Sequence, residues 1–186
     1  MSTNDTLEVP GWLPEDQLGA IRGQVPMVYV EAVPVRVDHL GRIEKVGLLL
    51  RAGSDGRIQR AVVSGRVLYN ESLRDALWRH LSKDLGPDAA PNLPAGTAPF
   101  TVAEYFPEPG RSGFHDPRQH AVALAYVVPC DGECAPAQDA LDLAWLSPAE
   151  VVSPTVASEL TEGHARLVRR ALAFCGQLPD PPRDLT

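Results

Sequence analysis

The sequence lacks several features that mark whole classes of protein. No uninterrupted apolar run approaches the ~20 residues that a membrane-spanning helix needs. Residues 1–8 are polar and acidic and do not resemble the apolar core of a signal peptide. Only three cysteines occur in 186 residues, and an odd number makes a poor disulfide framework. These absences predict a cytoplasmic protein with no membrane partner.

An excess of positive charge is also missing. The chain carries 17 lysines and arginines against 24 aspartates and glutamates, for a net charge of −7. That balance disfavours general binding to nucleic acids or anionic membranes, although it allows a local basic pocket. The sequence has no internal repeat, no glycine-rich phosphate loop and no nucleophile-elbow serine. We therefore expect no nucleic-acid partner.

What is present is the composition of one globular domain. Hydrophobic residues make up 44% and charged residues 22% of the chain, and a chain of this size buries about 70% of its unfolded surface without disulfides or metal. We expect residues 1–26 to form an extension with a short helix from Pro14 to about Arg22. Residues 27–176 then form the domain, and residues 177–186 a flexible, proline-rich tail.

The order of strand and helix patterns within the domain predicts an α/β fold. Runs rich in β-branched residues predict strands and three- and four-residue apolar spacings predict helices. The expected strands are Met27–Val37 and Val46–Leu50 as a hairpin, Arg57–Val63 after the turn at 53–56, Phe100–Phe106, His120–Val128 and Leu141–Leu146. The expected helices are Glu71–Leu85, a capping box at Ser147–Glu150, and Thr155–Cys175 with Cys175 on its apolar stripe. This order favours a mixed sheet with helices on its faces.

The segment from Gly65 to Pro87 is more specific than any other. It reads GRVLYNESLRDALWRHLSKDLGP and resembles the Nudix box, which is Gly, five residues, Glu, seven residues, then Arg-Glu-apolar-any-Glu-Glu-any-Gly-apolar. The positions that match without a gap are Gly65, Glu71, Arg79, Leu81 and Gly86. The positions at which the box has glutamates on its helix are occupied by His80, Lys83 and Asp84.

This resemblance implies a Nudix-like α/β/α sandwich with a mixed sheet. It also implies the family's chemistry, hydrolysis of nucleoside diphosphates linked to another group, in which helix carboxylates hold Mg²⁺ or Mn²⁺. Glu71 and Arg79 match the family pair that fixes the loop–helix–loop, and an Arg–carboxylate contact needs no metal to do so.

The helix face that carries this chemistry differs in charge from the same face of the Nudix box. Positions 80, 83 and 84 share one face by their spacing, and with a neutral histidine Lys83 and Asp84 sum to zero. Since Mg²⁺ needs hard oxygen ligands, Asp84 is the residual metal candidate and no joint metal site is expected. Asp84 and His80 are the catalytic candidates. No cofactor is expected unless the protein is an active hydrolase, which would require Mg or Mn.

Three interpretations of this face stay open. Lys83 and His80 contact the phosphate of a phosphorylated small molecule, or Asp84 joins distant carboxylates (Glu31, Glu104 or Asp139) in an altered metal site, or the face is solvated and the domain is an interaction scaffold. The favoured interpretation is nucleotide or phosphorylated-ligand binding with weak or absent hydrolysis. A divergent hydrolase is the alternative. The sequence leaves open whether the protein forms a homodimer.

Polar residues elsewhere give weaker signals. The loop from Arg111 to His120 supplies Arg111 and Arg118 as further ligand-binding candidates. Cys130 and Cys134 are interpreted as free thiols in a hairpin loop, since no second cysteine pair exists to complete a zinc site. His164 is expected at the surface.

Overall fold

The computed structural model describes residues 12–52, 56–136, 140–161 and 163–180. The strands are β1 (Met27–Val37), β2 (Ile43–Ala52), β3 (Ile58–Ala61), β4 (Val63–Arg66), β5 (Thr101–Tyr105), β6 (Ala121–Pro129) and β7 (Ala140–Leu146). The helices are α1 (Glu15–Arg22), α2 (Leu73–Leu85), α3 (Pro148–Val151), α4 (Pro154–Glu159) and α5 (His164–Phe174). The short N-terminal helix and the β1–β2 hairpin are therefore confirmed.

The strands form one seven-stranded mixed sheet. Its main path runs β3-β2-β1-β6-β5, with β4 beside β1 and β7 beside β2. The β1–β6 pair is parallel and the other pairs are antiparallel. Because β1 is long, it pairs with β4 through Tyr29–Ala32 and with β2 only through Val35–Val37. This change of partner separates β2 and β3 from the first half of β1.

Helices cover both faces of the sheet. Side chains alternate along a strand, so Val30 and Ala32 pack in the cluster that contains Leu77 of α2. Val33 belongs to the opposite cluster, which includes residues of α1 and α5. The sequence prediction of an α/β/α sandwich is confirmed.

Two element boundaries differ from the sequence prediction. The expected strand Arg57–Val63 is two short strands, because β3 pairs with β2 whereas β4 pairs with β1. The expected helix Glu71–Leu85 begins at Leu73, since the Ser72 hydroxyl caps it by accepting from the Asp75 backbone N–H. Glu71 is thereby left in the preceding loop.

The prediction of one closing helix over Thr155–Cys175 is wrong. Leu160 is extended and bridges to Arg60 of β3, and Gly163 has φ +91° before α5 begins. Cys175, expected in the core, caps the end of α5 and is exposed. The expected surface residue His164 is instead buried, because the break turns the start of α5 toward the sheet.

Some expectations concern parts of the chain outside the described residues. These are the flexible start at 1–11, most of the turn at 53–56 and the end of the tail at 181–186. Within the described ranges, the helices are all too short or too polar to cross a bilayer.

Candidate functional site

A cleft of about 620 Å³ opens on the α5 face of the sheet, beside the place where β1 changes partner. Its walls come from β1, the β3–β4 connection, the loop before β6, and the α4–α5 link. Ala61, Ala121 and Ala123 line it with small side chains, which leaves room above the sheet. A concave site with a few polar groups on its walls is the usual form of a small-molecule site.

A buried carboxylate lies in the wall of this cleft. Glu31 is 3% exposed, and its Oε1 accepts a hydrogen bond of 2.7 Å from the Tyr105 hydroxyl. His164 Nε2 lies 3.4 Å from the same oxygen, while His164 Nδ1 is hydrogen-bonded to the Thr161 hydroxyl. The other oxygen, Oε2, has no hydrogen-bond partner among the described residues.

The loop before β6 supplies further charged and polar side chains to the cleft. Arg118 donates two hydrogen bonds to the Asp116 carboxylate, from Nε and Nη2, both at 2.9 Å. Burial alone would raise the pKa of Asp116, but the hydrogen bonds from Arg118 and Gln119 hold that pKa below its ordinary value. Gln119 also donates to the Tyr29 hydroxyl at 2.9 Å. The loop is thus anchored to β1, and Arg118 remains substantially exposed.

The segment from Gly65 to Gly86 folds as a loop–helix unit held by Glu71 and Arg79. Arg79 donates to both Glu71 oxygens at 2.7 Å and to the Arg66 carbonyl at 2.9 Å. Glu71 also accepts from the Leu68 backbone N–H. The Arg79 hydrogen bonds lower the pKa of Glu71. The predicted contact between Arg79 and the loop before the helix is therefore present.

The helix face at positions 80, 83 and 84 is not uniformly solvated. His80 and Asp84 are buried, whereas the Lys83 side chain is about one-third exposed. Asp84 is hydrogen-bonded to Arg51, and Lys83 Nζ lies 3.8 Å from Asp84 Oδ1. Burial raises the pKa of Asp84 against the opposing effect of Arg51 and Lys83. Burial also lowers the pKa of His80, whose Nε2 faces the Arg66 carbonyl at 3.1 Å.

Arg51 connects this face to the cleft. It contacts Asp84 on α2 and also lines the cleft. Neither His80 nor Lys83 is among the described residues that line the cleft. The two ligand candidates on the helix, His80 and Lys83, are thus not part of the cavity wall. Arg51, which no sequence pattern singled out, links Asp84 of the helix to that wall.

The remaining candidates lie apart from the cleft or contribute little to it. Arg111 stacks on Phe106, 4.4 Å from its ring centroid, and does not line the cavity. Glu104 is exposed on β5, and Asp139 lies outside the described residues. Among the residues that are described, no three His, Cys, Asp or Glu side chains are placed to hold a metal ion. The sulfur of Cys130 is buried at the end of β6 rather than in a hairpin loop, and burial raises its pKa to about 12.

Several cleft residues gave no signal in the sequence. Tyr29, Tyr105 and Gln119 are ordinary strand or loop residues until the sheet brings them together. Glu31 had a detectable signal, because it is a charge within the apolar run of β1, and Arg118 had one as a charge in the polar loop before β6. A buried strand rarely holds an unpaired carboxylate without a reason.

Comparisons with known proteins agree with this architecture. Residues 8–177 match the family described as Domain of unknown function (DUF4916). The chain is similar to a structure from Jonesia denitrificans described as a possible asymmetric diadenosine tetraphosphate (Ap(4)A) hydrolase. The two sequences are 55% identical over 85% of this chain and 99% of that one, with a TM-score of 0.83. A search of curated protein sequences gives no match.

More distant structures share the fold. The NUDIX domain of Shewanella oneidensis NrtR, solved with ADP ribose, is 18% identical over 93% of this chain and 98% of its own, with a TM-score of 0.59. A MutT NUDIX hydrolase from Burkholderia pseudomallei is 18% identical over 84% and 100%, with a TM-score of 0.56. The chain therefore belongs to the family described as Domain of unknown function (DUF4916), and it has the fold of these Nudix proteins.

Proposed function

We propose that the chain binds a nucleotide or another phosphorylated small molecule in the cleft, with weak or absent metal-dependent hydrolysis. The observation that carries this proposal is the double contact of Arg51, which lines the cleft while it neutralises Asp84. The last carboxylate of the box helix is thus engaged by a guanidinium. That guanidinium occupies the electrostatic role that a divalent cation has in metal-dependent members of the fold.

Two arginines make the cleft suitable for a phosphate group. Arg51 and Arg118 both line it, and guanidinium groups bind phosphate oxygens through charge-assisted, often bidentate hydrogen bonds. Arg118 is already oriented by Asp116, which reduces the side-chain entropy lost on binding. Phosphate binding is thereby assigned to these arginines in place of Lys83 and His80.

The second candidate function is hydrolysis of a nucleoside polyphosphate. It is favoured by the 55% identity to the protein described as a possible Ap(4)A hydrolase. Against it stands the chemistry of the helix face. A divalent ion there would meet the positive charge of Lys83 and a carboxylate already paired with Arg51. Residual hydrolysis would have to draw on carboxylates other than those of the box helix.

Calorimetric titration tests binding, with ADP, diadenosine tetraphosphate and adenosine as the ligands. We expect both phosphorylated compounds to bind at least about tenfold more tightly than adenosine. Arg51→Met should reduce their affinity by about tenfold or more. Arg169→Met, which removes the same charge from an exposed position of α5, should leave it unchanged. Thermal unfolding of each variant verifies that the fold persists.

Product analysis after incubation with Mg²⁺ or Mn²⁺ separates the two candidate functions. Binding without turnover supports the binding module, and turnover with either metal supports the hydrolase. If wild-type protein binds neither phosphorylated compound, the proposed function is wrong and the interaction scaffold becomes the better interpretation.

A further inference from the structure

Two hydrogen-bond acceptors in the cleft wall have no donor in the part of the chain that the structure describes. Glu31 Oε2 and Gln119 Oε1 lack hydrogen-bond partners among the described residues, and both side chains line the cleft. Glu31 is 3% and Gln119 2% exposed. A buried acceptor without a donor is unfavourable. These two atoms therefore favour a ligand that brings N–H groups to this part of the cleft.

The contacts around the two side chains fix which atoms stay available. The Tyr105 hydroxyl and His164 both approach Glu31 Oε1, which leaves Oε2 for another donor. Gln119 Nε2 donates to the Asp116 carboxylate and to the Tyr29 hydroxyl. Because only the amide nitrogen can donate to a carboxylate, the Gln119 oxygen must face away from Asp116. The available atoms, Glu31 Oε2 and Gln119 Oε1, can therefore only accept hydrogen bonds.

The two oxygens are buried atoms of side chains that line the cleft. The terminal torsion of Glu and Gln has a broad profile rather than steep staggered wells. Rotation about that torsion can therefore redirect either oxygen toward the cavity without moving the rest of the side chain.

Charge determines which part of a ligand lies here. A carboxylate repels phosphate, so a phosphorylated ligand places its phosphates toward Arg51 and Arg118 and its other end against Glu31. The N–H groups of that end match the acceptors. Nucleobases that carry an amino group supply such donors on a flat ring, and Tyr29 provides an aromatic wall beside them.

We propose that Glu31 is a specificity-determining residue that accepts a hydrogen bond from the amino group of a nucleobase, with Gln119 as the second acceptor. This inference rests on the proposed function, since it orients a nucleotide whose phosphates the arginines hold. The substrate class is then an amino-bearing nucleotide, and a base without an N–H donor on its edge is discriminated against.

The test compares two ligands that differ in one group. ADP and purine riboside 5′-diphosphate carry the same sugar and phosphates, but only ADP has the 6-amino group. Calorimetry should give wild-type protein a preference for ADP of about tenfold or more, as expected for a hydrogen bond to a charged, buried acceptor. Glu31→Gln should remove most of that preference. Glu104→Gln, at an exposed position of β5 outside the cleft, should retain it.

The outcomes separate this inference from the proposed function. If wild-type protein binds both diphosphates equally, phosphate binding stands and recognition by Glu31 is overturned. The same conclusion follows if folded Glu31→Gln keeps the preference. If neither diphosphate binds, both proposals are overturned. The ratio of the two affinities is measured on wild-type protein, so it tests recognition of the amino group even if Glu31→Gln does not fold. Tyr105→Phe, which removes a donor but keeps the carboxylate, should keep the preference.

Discussion

Gly65 of β4 lies directly against the imidazole ring of His80 on α2. A methyl group at position 65 would be 1.8 Å from His80 Cε1. The ring cannot simply turn away, because His80 is 7% exposed and its Nε2 faces the Arg66 carbonyl. Glycine at position 65 is therefore required by the position of the His80 ring.

Gly65→Ala is predicted to destabilise the protein by about 1–3 kcal/mol, the range for overpacking a close contact. The measurement is chemical denaturation of both single variants and the double variant. In the His80→Ala background, the same glycine substitution should have much less effect, since the ring that it meets is gone. Equal effects in the two backgrounds would show that the two residues are not coupled.

The Glu71–Arg79 pair makes stability depend on pH in the acidic range. The folded-state pKa of Glu71 lies below the ordinary value of 4.5. The pair therefore contributes its full stability above that value and loses it as pH falls through the lower, folded-state pKa. Wild-type protein should lose more stability than Glu71→Gln as pH drops below about 4.5.

At neutral pH, Glu71→Gln should lower the free energy of unfolding by about 1.5–3 kcal/mol, as expected for hydrogen bonds to a charged group. Glu108→Gln is the matched control, because Glu108 forms an exposed ion pair with Arg111 at 3.8 Å. Such pairs contribute about 0–1 kcal/mol. Unfolding curves collected at several pH values provide both results. Parallel pH profiles for wild type and Glu71→Gln would contradict the assignment.

The loop–helix unit held by Glu71 and Arg79 was predictable from sequence, whereas the cleft was not. Glu71 and Arg79 are eight residues apart, so their spacing in one loop and one helix brings them together without the rest of the fold. Glu31 and Tyr105 are 74 residues apart. They meet only because β6 lies between β1 and β5 and sets the register of both. Strand order of that kind is a tertiary property, and no periodicity encodes it.

The break between α4 and α5 was missed for a related reason. Apolar spacing continues from Leu160 to Leu167, and a glycine alone does not exclude a helix. The deciding interaction is distant, since the backbone N–H of Thr161 donates to the Arg60 carbonyl of β3. That bond holds Leu160 extended and forces the chain to turn at Gly163.

Gly163→Ala should therefore be more harmful than an ordinary glycine substitution. Gly163 has φ +91°, and an added Cβ would lie 2.6 Å from the Phe114 ring. Strain at positive φ costs about 1–2 kcal/mol, and overpacking adds about 1–3 kcal/mol. Gly110→Ala isolates the first effect, because Gly110 has φ +83° with open space around its Cα. The melting temperature of Gly163→Ala should lie well below that of Gly110→Ala. Equal melting temperatures would contradict the close contact with Phe114.

The proposed function predicts that the charge of Lys83 weakens the binding of a divalent cation at the box helix. Its Nζ lies 3.8 Å from Asp84 Oδ1, so a cation at that oxygen would meet a positive charge. Lys83→Glu replaces that charge with a carboxylate beside Asp84. Since a unit charge and a divalent ion about 4 Å apart interact with roughly 2 kcal/mol in water and roughly 8 kcal/mol in a surface-like dielectric, Mn²⁺ affinity should rise at least about tenfold.

The matched control is Lys45→Glu, which makes the same change of net charge at an exposed position of β2. Calorimetric titration with Mn²⁺ should show tighter binding only in Lys83→Glu, and the added Asp84→Asn should abolish the gain, because both carboxylates are needed as oxygen ligands. The added carboxylate also competes for Arg51, so a larger gain is expected when Arg51→Met accompanies Lys83→Glu. If Lys83→Glu binds Mn²⁺ no better than Lys45→Glu, the charge at position 83 does not control cation binding at this helix and the prediction is wrong.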